Sequence, residues 1–79
     1  MRAVVEVLAR ALTDRADEVQ VVETERKGAT LVELYVAPGE LGRVIGKQGR
    51  TAAALRTLAS TAGEKEGKIV TLEIRDGRP

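Results

Sequence analysis

The sequence predicts an α+β fold in which a three-stranded mixed sheet carries its helices on one face, in the order α-β-β-α-α-β. Three observations predict it. Apolar residues recur at helical spacing near the start. Two β-branched stretches flank Arg26-Lys27-Gly28. A last β-branched stretch follows two helical segments parted by Gly46-Lys47-Gln48-Gly49. At 79 residues the chain has room for one domain, expected to fill 1–79. Its core is small enough to profit from a partner subunit.

Each element has its own warrant. In Arg2–Thr13, Val4, Val5, Leu8, Ala11 and Leu12 share one helical face, with Arg2, Glu6 and Arg10 opposite as i,i+4 neighbours of alternating sign. Val19–Glu25 is β-branched and partly alternating, as in a strand. Gly28, free to take positive φ, turns the chain into a second strand over Ala29–Ala37. There Val32, Leu34 and Val36 form the aliphatic side expected to face the core, against Leu31, Glu33 and Tyr35. Pro38-Gly39 ends that strand, because proline has no N–H to give to a ladder.

Glu40–Ile45 reads as a short helix and Arg50–Ala62 as a longer one. Leu55, Leu58, Ala59 and Ala62 form the expected buried stripe of the longer helix, and Gly63 its C-terminal cap. Glu64–Gly67 is expected as a polar loop, Lys68–Arg75 as the last strand, and 76–79 as a flexible tail. The helical crossover allows the second and third strands to pair in parallel.

Composition removes most catalytic chemistry. The chain has no cysteine and no histidine, so thiol catalysis, thiolate ligands and imidazole ligands are absent. No compact acidic loop of the EF-hand kind is present. No enzyme activity, cofactor or metal is expected. No apolar run approaches the ~20 residues of a membrane span, and Glu6 interrupts any signal-like stretch, so a soluble cytoplasmic protein is expected.

Charge is unevenly spread. The formal net charge is +1. Residues 1–37 carry five basic and seven acidic side chains, a net −2. Residues 38–60 carry Arg43, Lys47, Arg50 and Arg56 against Glu40 alone, a net +3. Residues 61–79 carry four of each, a net zero. The positive segment also holds Gly39, Gly42, Gly46 and Gly49, half of the eight glycines.

Glycines at Gly46 and Gly49 remove the Cβ atoms that would keep a phosphodiester from the main chain. Lys47 and Arg50 bring positive charge, and the helix starting near Arg50 offers unpaired N–H groups. These effects favour an anion at one place. Other phosphate motifs fit poorly. A nucleotide P-loop needs four residues between its glycines and then Lys-Ser/Thr, but three separate Gly42 from Gly46 and Gln48 follows Lys47. A dinucleotide fingerprint would need glycine at Val44. The plainer alternative is a glycine-rich connection that only turns the chain.

The stretch Val44-Ile45-Gly46-Lys47-Gln48-Gly49-Arg50-Thr51 resembles the Ile/Val-Ile-Gly-x-x-Gly loop of KH domains, and the element order resembles their type II arrangement. Length and layout resemble the small bacterial single-KH proteins of the KhpA family. The resemblance implies a non-catalytic protein that binds single-stranded RNA, in the manner of an RNA chaperone or post-transcriptional regulator. It also implies a homodimer, or a heterodimer with a larger KhpB-type KH protein in control of cell elongation and division. Carried over, Gly46-Lys47-Gln48-Gly49 clamps about four nucleotides of backbone. Lys47 contacts phosphate, Gln48 donates through its amide, and Arg43 and Arg50 widen the positive rim. Val44 and Ile45, with Val36 or Leu34, floor the groove that holds the bases, although for Ile45 a core position is the plainer reading.

The single aromatic, Tyr35, argues against RNA-binding folds that stack bases on exposed rings; packing within the strand is its plainer role. A second class of function remains open: a docking module whose first helix, or whose Ala52-Ala53-Ala54 stretch, packs against another subunit.

Overall fold

A computed structural model of the chain describes residues 2–78. Helix α1 (Arg2–Leu12) leads into strands β1 (Gln20–Arg26) and β2 (Ala29–Val36). Helices α2 (Leu41–Ile45) and α3 (Arg50–Lys65) then cross over to strand β3 (Ile69–Asp76). The sheet order is β1-β2-β3, with β1 antiparallel and β3 parallel to the central β2. The mixed sheet and element order match the sequence expectation.

Lys27 and Gly28 both have positive φ (47° and 81°), the backbone of a two-residue type I′ turn. That turn matches the right-handed twist of the strands and sets the register. Val21 therefore faces Leu34, and Val22 faces Glu33.

Val32, Leu34 and Val36 are fully buried, as their alternation predicts. They meet Val5 and Ala9 of α1, Val44 of α2, Leu55 and Ala59 of α3, and Leu72 of β3. One aliphatic core thus lies between the sheet and its helices, and Leu31, Glu33 and Tyr35 sit on the sheet's other side.

Three local expectations are corrected. Helix α3 runs to Lys65, past Gly63, and Gly67 (φ 71°) takes the left-handed position after its end. Gly63 is instead buried within the helix. A Cβ there would stand 3.0 Å from both the Lys68 carbonyl oxygen and the Val70 Cβ. The glycine lets α3 approach the start of β3. Second, Leu58 is 55% exposed, and the buried stripe is Ala52, Leu55, Ala59 and Gly63. Those four residues face the sheet; Leu58 projects on the flank near α1. Third, Asp76 belongs to β3, and the Gly77 amide donates to the Val36 carbonyl at 2.8 Å. Strand pairing with β2 extends through the first residues expected as tail, whereas Pro79 lies outside the described residues.

Candidate nucleic-acid interface

The loop 46–49 joins α2 to α3 with little chain. The Gly46 amide donates to the Gly42 carbonyl at 3.0 Å and closes α2. The Gly49 amide donates to the Gly46 carbonyl at 3.2 Å and forms one tight turn. Gly46 has φ 76° and ψ 176°, outside the ordinary range of residues with a Cβ. A Cβ built on it would lie 2.8 Å from the Thr51 Cβ. Glycine is thus required at position 46 both by conformation and by the close approach of Thr51.

Gln48 also holds a left-handed backbone (φ 57°, ψ 24°), uncommon without glycine. Its side chain is tied by Arg50, whose Nη2 donates to Gln48 Oε1 at 3.0 Å. Arginine can only donate, so the amide oxygen must face Arg50 and the NH2 group faces away, as a free donor.

Helix α3 begins at Arg50 with no side-chain cap. The Arg50 amide donates to the Lys47 carbonyl, and no side chain caps the N–H groups that follow it beside the loop. Lys47, Gln48 and Arg50 are exposed, and among the described residues no carboxylate pairs with Lys47 or Arg50. The structure brings these groups together on one rim.

Arg43 differs from the open rim cation that the sequence suggests. It pairs with Asp14 at 3.2 Å and with Glu40 at 3.3 Å. Two carboxylates surround one guanidinium, so the added positive potential there is cancelled. Glu40, three residues before Arg43, is a local partner, but Asp14 comes from across the fold and gives no sign in the sequence.

Glu40 is the centre of that cluster. Its Oε1 accepts from the Thr13 hydroxyl at 2.6 Å and from the Asp14 amide at 2.9 Å. The Thr13 bond holds the Glu40 carboxyl below its ordinary value, opposed by partial burial and helped by Asp14, Arg43 and Arg15. The end of α1 is thereby pinned to the start of α2, the helix that aims the loop.

Three of the groove-floor expectations are corrected. Val44 is fully buried, as are Leu34 and Val36, so these side chains face the core. Helix α2 has only five residues and must spend its apolar side on holding itself to the sheet. Ile45 is half-buried and keeps a surface beside the loop. Tyr35 is also half-buried, and its hydroxyl donates to Glu33 Oε2 at 3.0 Å, a carboxyl that also pairs with Arg75 at 3.2 Å. Burial first, and then the bond to Glu33, raise the Tyr35 hydroxyl above its ordinary value. This is the packing role, with the ring edge tied in place.

Among the described residues, no three acidic side chains gather as a metal site, and no helix is long and apolar enough to cross a membrane.

A family model described as KhpA/KhpB, KH domain, matches residues 2–74. The chain is 50% identical over 74 residues to a protein of Aquifex aeolicus named RNA-binding protein KhpA, covering 94% of each. It is 47% identical over 74 residues to the one of Clostridium acetobutylicum, covering 94% of this chain and 99% of the relative. To that of Chlamydia muridarum it is 36% identical over 78 residues, covering 99% and 100%. No solved structure matches. With the loop at 46–49 and the parallel β2-β3 pair joined through α2 and α3, these likenesses place the chain in the KhpA/KhpB KH-domain family.

Proposed function

We propose that this protein is a non-catalytic RNA-binding module that holds about four nucleotides of single-stranded RNA at Gly46-Lys47-Gln48-Gly49. The observation that carries the reading is the meeting of two unpaired cations, Lys47 and Arg50, with the uncapped start of α3 at a loop whose glycines bare the main chain. Phosphates lie against the loop, the outward Gln48 amide donates to the backbone, and Ile45 supports a sugar or base. The names of the relatives support RNA as the polyanion. Backbone contacts carry little sequence information, so affinity is modest and the protein acts on many RNAs, as a chaperone or post-transcriptional regulator does.

The test replaces Lys47 and Gln48 together by Asp. A labelled single-stranded RNA should bind the wild type and not the double variant, while thermal unfolding of the variant stays cooperative. Unchanged affinity in a folded double variant overturns the site.

A second reading is favoured by one surface. Val4 (57% exposed) and Leu58 (55% exposed) flank a groove of about 200 Å³ between α1 and α3, lined also by Leu8 and Ala62. Large aliphatic side chains held in water on adjoining helices suit a subunit interface. In this reading the protein docks a second copy, or a larger KhpB-type KH protein that acts in cell elongation and division. Light scattering of the wild type and of Leu58→Asp tests it: a dimer that becomes a monomer supports the reading, and a monomeric wild type that fails to bind a KhpB-type protein ends it.

A further inference from the structure

Arg56 stands apart from the other arginines of the positive segment. Arg43 is held by carboxylates and Arg50 by Gln48. Arg56 Nε donates to the Leu72 carbonyl at 3.3 Å, and among the described residues it has no acidic partner.

The place of that carbonyl follows from the ladder. The Ile69 amide donates to the Gly28 carbonyl and the Gly77 amide to the Val36 carbonyl, so odd-numbered residues of β3 direct their main chain toward β2. Leu72, an even-numbered residue, directs its carbonyl to the outer edge of the sheet. Arg56 therefore bridges from α3 to the free edge of β3.

The same flank of α3 leads back to the loop. Gly49, Ala53, Arg56 and Ser60 recur at steps of three and four, on one side of the residues that face the sheet. Arg56 lies seven residues beyond Gly49, about 10 Å along the axis. Ala53 between them is small and exposed, so the way from loop to guanidinium is open.

Tethering through Nε has a chemical consequence. It fixes the plane of the guanidinium and leaves the two Nη groups as a fork of parallel donors. Building on the RNA-clamp reading, the geometry points to Arg56 as a residue that selects among bases: its fork, set by the Leu72 carbonyl, takes a base edge with two adjacent acceptors. Guanine has such an edge at O6 and N7, and cytosine at O2 and N3. Adenine and uracil alternate donor and acceptor and have none.

The experiment measures anisotropy with labelled oligouridine octamers whose two central positions are C, G or A, beside the unsubstituted octamer. The wild type should bind the C or the G octamer about tenfold tighter than those with A or U, in line with one bidentate contact. The C and G arms tell which base the fork takes. Arg56→Lys keeps the charge and lacks the fork, so it should bring the ratio near one while uridine affinity changes little. Arg56→Gln serves as a second variant if the first does not melt cooperatively. A wild-type ratio near one, a ratio that survives both substitutions, or an equal loss on all four octamers overturns the assignment. Equal binding of all four octamers that is lost in the Lys47/Gln48 double variant ends this inference alone. No binding to any octamer ends the clamp reading and this inference together.

Discussion

The Thr13 hydroxyl donates to Glu40 Oε1 at 2.6 Å, joining residues 27 positions apart. One side of the bond ends α1 and the other begins α2, so the loop at 46–49 is aimed by a contact outside itself. The carboxylate also accepts from the Asp14 amide. Its side chain is only 14% exposed, which makes the acceptor costly to lose.

Glu40 therefore gives stability a specific pH dependence. Its folded value lies below the ordinary 4.5, so the carboxylate stabilises the fold above that value. The contribution is lost as pH falls through the depressed folded value. Melting temperatures of the wild type and Glu40→Gln should differ at pH 6 and converge below pH ~4.5. A gap that stays constant down to the acid limit speaks against this role.

Lys68 and Glu25 tie the hairpin to the start of β3, and each moves the other's titration. The ammonium lowers Glu25, and the carboxylate raises Lys68. The pair's contribution is present at neutral pH. It fades in acid as Glu25 protonates, and in alkali as pH rises through the raised Lys68 value. Lys68→Met should flatten both limbs of the stability profile slightly, since exposed ion pairs contribute little. Chemical denaturation across pH reads this directly.

Gly63 provides a test in which local and tertiary effects oppose one another. Alanine is the better helix former by about 1 kcal/mol. A Cβ at Gly63 would nevertheless press on the Lys68 carbonyl and the Val70 side chain. Overpacking of this kind costs about 1–3 kcal/mol, so Gly63→Ala should lower stability in urea unfolding. A stabilised variant would show that α3 and β3 can move apart freely.

Salt should separate the two functional readings. With Lys47 and Arg50 as the phosphate contacts, two charges are neutralised. Log affinity for single-stranded RNA should then fall with log salt with a slope of about −1.4. Lys47→Gln should roughly halve the slope. Arg43→Gln should leave it nearly unchanged, because Asp14 and Glu40 already neutralise Arg43. An equal change in both variants would return Arg43 to the rim.

Leu34 tests the core. It is fully buried on the central strand, and Leu34→Ala should cost about 2–5 kcal/mol, measured by denaturant midpoint. Leu31→Ala, three residues earlier on the open side, should cost much less.

The local pattern of residues was enough to read the strands and the loop. Alternation in Leu31–Val36 names the buried side, because a pleated strand must put Val32, Leu34 and Val36 on one face. Lys27-Gly28 marks the turn, and Gly46-Lys47-Gln48-Gly49 marks the break between α2 and α3, because few residues tolerate positive φ. Where partners come from distant segments, the pattern is silent. Val44 and Ile45 look equivalent in sequence, yet one fills the core and the other keeps a surface. Gly63 looks like a cap until β3 is seen pressing against it. Arg43, Arg50 and Arg56 are one kind of charge in sequence. Folding decides that the first is neutralised by Asp14 and Glu40, the second holds Gln48 within the loop, and the third is anchored to the Leu72 carbonyl. Backbone preference acts over neighbours and can be read residue by residue; electrostatics and packing act through space, and exist only once the chain has folded.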